Sequence, residues 1–388
     1  MKNAISTGAA SAALIFFFCV LCASVAFGES PFSGFNPAVL TGKDNGVFVD
    51  TRTFWADNAV PLQSIFLDKG WDGPFKPADA NHLDVFWKAD TGVVYRGWRV
   101  AGFYRGELFL KCNKDTIEIL RMIELKQNLP VGRTFNVDLK GKGFSATGIE
   151  ASKGFKVLGS GERNNLSVGL TARYMRGERV QDGTVRGTVT PGTAKSYDFD
   201  LAVDYVYDKN YLYKRQDTVA GSGDGYSFDA GLKYDFSKAL AFELLFRDIL
   251  GRMYWHNTPF TTAEADSNTK FFDENGYMRF RPSIRGYEFY KNFTQNIPLK
   301  TDVSVTYRGG PFVLQPTVNF IEGRPLYWID MGYKAARDLL LNAGYNFNYK
   351  SYSAGVVYKH AVLSVYADDF ALSRAMAVGF KIALAYRW

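Results

Sequence analysis

Cysteine and histidine are scarce. There are three of each in 388 residues. Cys19 and Cys22 fall in the first 28 residues, which read as a removable leader, so Cys112 is the one cysteine left and no intrachain disulfide can form. His82, His256 and His360 are far apart, and no paired His/Cys spacing suits a metal. His360 and Ser364 would lie at opposite ends of a short strand, so no Ser–His nucleophile pair and no other catalytic set is apparent. The run Gly221-Ser222-Gly223-Asp224-Gly225 lacks the strand-then-helix context of a phosphate cradle and reads as a loop. The formal charge of +7 is scattered, with none of the basic runs that mark nucleic-acid binding. No enzyme activity, cofactor or metal is expected.

Long apolar runs are also missing. After the leader, no stretch approaches the roughly 20 residues of a transmembrane helix. Mean hydropathy is only −0.16 although aromatic residues make up 16% of the chain. A membrane protein of this kind must cross as strands, because lipid-exposed backbone has to satisfy its polar groups within a helix or a closed sheet.

The first 28 residues have the layout of an export signal. Lys2 is followed by an apolar Ala12–Val25, and small residues allow cleavage after Ala26 or Gly28. Leu21 occupies the place where a lipoprotein signal before Cys22 needs a small residue. Loss of Lys2 takes the formal charge from +7 to +6. The mature chain is expected to be exported to the cell outer membrane.

Period-two alternation fills the last two-thirds of the chain. Leu166, Val168, Leu170, Ala172 and Tyr174 alternate with small or polar residues, as do Tyr197–Tyr207 and Tyr226–Phe236. Further segments run over 299–308, 312–320, 341–349 and 352–359. Each is near the roughly 9–11 residues of a tilted membrane strand. A soluble β-sandwich alternates too. It would not collect charges on one face of a strand and end the other face in Tyr, Phe and Trp, and when secreted it usually carries disulfides. The expected fold is all-β: a transmembrane antiparallel up-and-down barrel of about 14–16 strands, with an N-terminal non-barrel segment and one short helix. The expected division is 1–28 leader, 29–80 N-terminal segment and 81–388 barrel. The helix is placed over 115–127, started by Asp115 and Glu118, stopped by Pro130 and Gly132, and located in the periplasm or lumen. Residues 177–194 are not assigned, and 209–224 and 251–276 read as long connections.

The last strand carries a resemblance. Phe380, Ile382, Leu384, Tyr386 and Trp388 alternate up to the C-terminal residue. This resembles the C-terminal assembly signal of Gram-negative outer-membrane barrels, which implies recognition by the barrel-assembly machinery. Near the mature start, Asn36-Pro37-Ala38 resembles an element of the long-chain fatty acid transporter family, in which the N-terminal segment lies in the lumen as a hatch. The same tripeptide also reads as an ordinary Asn-Pro turn.

Ten charges fall on the polar parity of their strands: Asp198, Asp200, Asp204, Lys233, Lys300, Asp302, Arg308, Lys334, Lys381 and Arg387. Buried charges without water or partners are costly. They therefore imply either a water-filled lumen or a salt-bridge network across it. The leading expectation is a porin-like channel for passive passage of small solutes, with these charges setting selectivity. The alternatives are a gated transporter of hydrophobic compounds with residues 29–80 as hatch, and a structural or partner-binding barrel without transport. The expected partners are outer-membrane lipid and the assembly machinery, without nucleic acid.

Overall fold

The structure is a computed structural model. It describes residues 30–42, 45–159, 163–192, 197–209, 221–267, 270–272, 278–280 and 283–388. The expected leader, 1–28, lies outside them. The strands are β1 (Gly46–Asp57), β2 (Ala80–Tyr95), β3 (Trp98–Asn113), β4 (Phe135–Leu158), β5 (Asn165–Pro191), β6 (Tyr197–Tyr207), β7 (Ser222–Asp235), β8 (Leu240–Asp266), β9 (Lys270–Phe272) and β10 (Met278–Phe280). They continue with β11 (Ser283–Asn296), β12 (Lys300–Gly309), β13 (Phe312–Ile321), β14 (Arg324–Ala336), β15 (Leu339–Asn346), β16 (Ser351–Tyr358), β17 (Ala361–Ala367) and β18 (Ala377–Arg387). Among the described residues, two α-helices, α1 (Leu62–Leu67) and α2 (Lys114–Glu124), lie between strands.

Fourteen strands close into a ring, in the order β1 to β5, β7, β8, and β12 to β18. β18 pairs back on β1, from Gly46↔Arg387 to Ala56↔Ala377, all antiparallel. Closure leaves no strand edge facing lipid. The expected parity holds around the ring. Leu170, Tyr174, Phe228, Leu363 and Phe380 are exposed on the outer face, where they form an apolar surface of the kind lipid requires. Thr171, Asp229, Ser364 and Lys381, one residue along or directly opposite in register, face inward and are buried. At the end that carries Gly46 and Arg387, two-residue turns join β2 to β3, β12 to β13, β14 to β15 and β16 to β17. One is Arg96-Gly97, with φ of 49° and 76°, the conformation that matches strand twist in a tight hairpin. The opposite end carries the longer connections, including α1 and α2, and by this asymmetry is the extracellular end.

The expected boundary at residue 81 is too late, because β1 (Gly46–Asp57) is already a ring strand. Its inward residues include Phe48 and Phe54, so both parities are apolar and the alternation is masked. Residues 177–191 belong to β5, and 251–266 continue β8. These two strands of 27 residues each rise beyond the ring at its outer end, where β6 and β11 flank β8. β8 changes neighbours from β12 to β11 between Arg247 and Arg252, and Asp248 and Leu250 there adopt left-handed φ of 60° and 53°. Most of the expected 209–224 connection lies outside the described residues.

Helix α2 sits at the extracellular rim, against β3 and β4, and not in the periplasm or lumen as expected. Its N-cap is Asn113, whose side chain accepts from the Thr116 N–H at 3.0 Å, rather than Asp115. Asp115 instead accepts from the Asn136 N–H at 2.9 Å and from Arg133 at 2.8 Å. Desolvation works against its charge, yet these two partners hold its pKa below the ordinary carboxylate value.

Candidate functional site: the occupied lumen

Residues 30–40 enter the barrel and cross it. Asn36 caps a 3-10 turn over Pro37–Val39, its Oδ1 accepting from the Ala38 N–H at 3.0 Å. Pro37, with φ preset and no N–H to satisfy, suits the first position of such a turn. The turn rests on three inward glycines of adjacent strands: Gly154, Gly169 and Gly231, register partners in series. A Cβ at Gly169 would stand 2.2 Å from the Pro37 carbonyl carbon, and one at Gly231 would stand 2.0 Å from Asn36 Oδ1. Any larger residue at either place would collide with the turn. The position that the resemblance implies for Asn36-Pro37-Ala38, inside the lumen, is the one observed.

The segment is anchored by the wall on several sides. Asn36 Nδ2 donates to the Leu232 carbonyl at 3.2 Å and to Glu243 at 3.0 Å. The Gly34 N–H donates to Asp302 at 2.9 Å, and Ser30 Oγ donates to Asn319 at 2.8 Å. Arg247 and Arg52 donate to the carbonyls of Phe32 and Ser33. Phe32 packs edge-on to Phe54 at 4.8 Å, and Phe54 in turn meets Trp328 and Tyr366 at 5.7 and 6.0 Å. Phe86, Phe109 and Ile321 complete this buried cluster. The aromatic plug therefore stands in the lumen at the height of β1 residue 54, against the walls made by β1–β3, β13, β14, β17 and β18.

Around the plug, charges pair across the barrel. Arg105 of β3 donates to both oxygens of Asp248 of β8 at 2.8 and 2.9 Å and to Glu107 at 2.6 Å. Lys300 of β12 closes the set, 2.9 Å from Asp248 and 2.8 Å from Glu107. A second set joins Lys88, Asp90, Arg99, Glu150, Arg173 and Asp229: Lys88 donates to Glu150 at 3.0 Å, Arg173 to Glu150 and Asp229 at 2.6 Å each, and Arg99 links Asp90 to Glu150. Arg247 pairs with Asp302 at 2.8 Å. Asp84 is held by Arg324 and Tyr349 from the far wall. Desolvated charges of this kind are tolerated because each is matched and hydrogen-bonded.

Of the expected lumen charges, Lys300 and Asp302 stand in these sets. Lys233 faces Asp235 and Glu243, each at 3.8 Å. With Arg308, Lys381 and Arg387 it lines a cavity of about 490 Å³ on the periplasmic side of the plug. Lys334 has the inward parity but lies exposed at the end of β14, next to a register shift. Asp198, Asp200 and Asp204 are not in the ring, since β6 pairs only with the rising parts of β5 and β8. They are exposed above it, and alternation alone could not tell a ring strand from one that leaves the ring. Phe380, Ile382, Leu384 and Tyr386 point outward on β18, and Trp388 follows with 65% of its surface exposed.

Sequence reasoning did not single out Arg52, Asp84, Lys88, Arg99, Arg105, Glu107, Glu150, Arg173, Arg247, Asp248 or Arg324. A signal was available. Asp84, Lys88 and Asp90 share one parity of β2, and Arg99, Arg105 and Glu107 share one parity of β3. Outside the plug, on the extracellular side, a second cavity of about 560 Å³ is lined by Phe109, Lys111, Lys140, Lys142, Ile321 and Arg324, among others.

No protein-family model matches the chain, and no curated protein matches it. Among solved structures, it is similar to a deltaS2S3 mutant of the TodX monoaromatic hydrocarbon channel, with 11% identity over 91% of this chain and 92% of that one, at a TM-score of 0.47. The P. putida toluene transporter TodX follows, at 10% identity over the same shares and a TM-score of 0.45. The CymD monoaromatic hydrocarbon channel follows at 11% identity over 91% of this chain and 90% of that one, with a TM-score of 0.30. At such values the similarity carries no statement about what passes through this barrel. The closed ring, the apolar outer face and the paired charges within make the chain a fourteen-stranded antiparallel β-barrel of the membrane-spanning kind.

Proposed function

We propose that the protein is a gated transporter of small hydrophobic compounds, with residues 30–40 as its hatch, rather than an open porin. The observation that carries this reading is the aromatic plug around Phe32, which occupies the lumen between the two cavities. A passive porin needs a continuous aqueous path whose charges are available to solute. Here the charges at plug height are spent on one another, and a solute leaving the outer cavity meets Phe109, Ile321 and then the rings of Phe32 and Phe54. An apolar body gains by that contact, whereas a hydrated one loses its water. The buried ion pairs also favour a second reading, a closed structural barrel without transport.

The readings separate in cells with and without the protein in their outer membrane. The transporter reading expects faster uptake of a labelled apolar solute, and no gain for a sugar of similar size. Sugar permeation without apolar uptake restores the porin. No gain for either solute leaves the structural barrel.

A further inference from the structure

The outer cavity carries a charge imbalance. Lys111 and Lys140 are directly opposite one another in the β3–β4 ladder, and Lys142 follows on the same face, opposite Phe109. Like charges facing each other across a ladder are destabilising. None of the three lysines has an ion-pair partner among the described residues. The acids nearby are engaged or few. Asp182, the register partner of Lys142, accepts from Gln295 at 3.1 Å and attracts Lys142 and Lys140 without closing an ion pair with either, and Asp84 is held by Arg324 and Tyr349. Glu322 remains at the cavity wall. The other feature of this cavity is an apolar floor, Phe109 and Ile321, both part of the cluster around Phe32. Positive groups therefore stand beside an apolar surface, in a cavity of about 560 Å³, a volume suited to small molecules.

We propose that this outer cavity is a binding site for small organic anions, namely carboxylates on a compact aromatic or alicyclic body. The assignment rests on the transporter reading and names its solute class. The carboxylate answers the ammonium groups of Lys111 and Lys140, neither of which closes an ion pair among the described residues, where the excess of positive over negative side chains in the lining concentrates anions. The body of the molecule lies on Phe109 and Ile321, directly above the hatch. A neutral hydrocarbon gains only the floor, and an inorganic anion gains only the lysines.

The test is equilibrium binding to the full mature protein in neutral detergent, with benzoate, benzyl alcohol and inorganic phosphate as probes. Benzoate is expected to bind about tenfold tighter than benzyl alcohol, as one charge-assisted contact allows, and to weaken as salt rises. The double variant Lys111→Gln/Lys140→Gln should bring benzoate down to the level of benzyl alcohol, whereas Lys111→Arg/Lys140→Arg should retain most of the affinity. The salt titration on the unaltered protein reads the same contact even where the glutamine variant fails to fold. Benzoate binding no tighter than benzyl alcohol, indifference to salt, or phosphate matching benzoate would each overturn the site. The assay needs no passage through the barrel. Apolar uptake without benzoate binding removes this site alone, and benzoate binding without any uptake removes the transporter alone.

Discussion

Removing residues 30–42 is expected to turn a silent barrel into a conducting one in planar bilayers. The deletion withdraws Phe32 from the cluster of Phe54, Trp328 and Tyr366 and empties the glycine-floored recess under Pro37. The ring itself survives, because β1 starts at Gly46 and keeps both neighbours. A longer deletion to residue 80 would remove β1 and open the barrel wall, so it would test nothing about the hatch. The charges released are few: Arg247 keeps Asp302 at 2.8 Å, and Arg52 keeps Asp50 at 3.2 Å. The space vacated therefore becomes a polar passage that water can fill. Discrete open levels in the shortened protein, against a flat baseline for the intact one, are the expected outcome. Silence in both would mean that the cross-barrel ion pairs, and not the hatch, close the lumen.

Those ion pairs set the second large effect. Lys300→Ala is expected to destabilise the barrel by about 3–5 kcal/mol, the usual consequence of stranding a buried charge. Lys300 is 1% exposed and lies between Glu107 and Asp248. Without it, two buried carboxylates share Arg105, with Arg173 3.7 Å from Asp248 as a further cation. Its loss should show as a lower urea midpoint for unfolding in liposomes. Lys381→Ala, at a buried position outside this set, serves as the comparison. Replacing Lys300, Arg105, Glu107 and Asp248 together by apolar residues of similar volume should cost far less than the single change, since the net value of such a set against good packing is near zero. A single change as mild as the fourfold one would show that water reaches these groups.

The ring was legible where one parity is apolar and the other is not. Leu166–Tyr174 and Tyr226–Phe236 showed which side faces lipid, because a shift by one residue would exchange lipid and lumen. β1 was not legible, for a physical reason: Phe48 and Phe54 point inward to meet Arg99 and the hatch, so a filled lumen erases the contrast that marks a strand. The continuation of β8 past Gly251 was lost to a similar ambiguity, since left-handed residues at Asp248 and Leu250 interrupt its alternation. Within the lumen, Lys300 and Asp302 could be found from parity, but their partners come from β3 and β8, a pairing that only the closed ring brings about. Asp198, Asp200 and Asp204 have the right parity on a strand that leaves the ring, a fact that no local pattern encodes.

The most direct measurement of hatch control is to lock the segment in place. In a Cys112→Ser background, Ser30→Cys and Asn319→Cys put one thiol in the place of Ser30 Oγ and the other one bond short of Asn319 Oδ1, atoms that lie 2.8 Å apart, so oxidation that draws the two sulfurs together ties the hatch to β13. Uptake of an apolar solute by cells carrying this barrel is expected to stop when the pair is oxidised and to return on reduction. Equal uptake in the two states would contradict the account, because it would place the path somewhere that the hatch does not close.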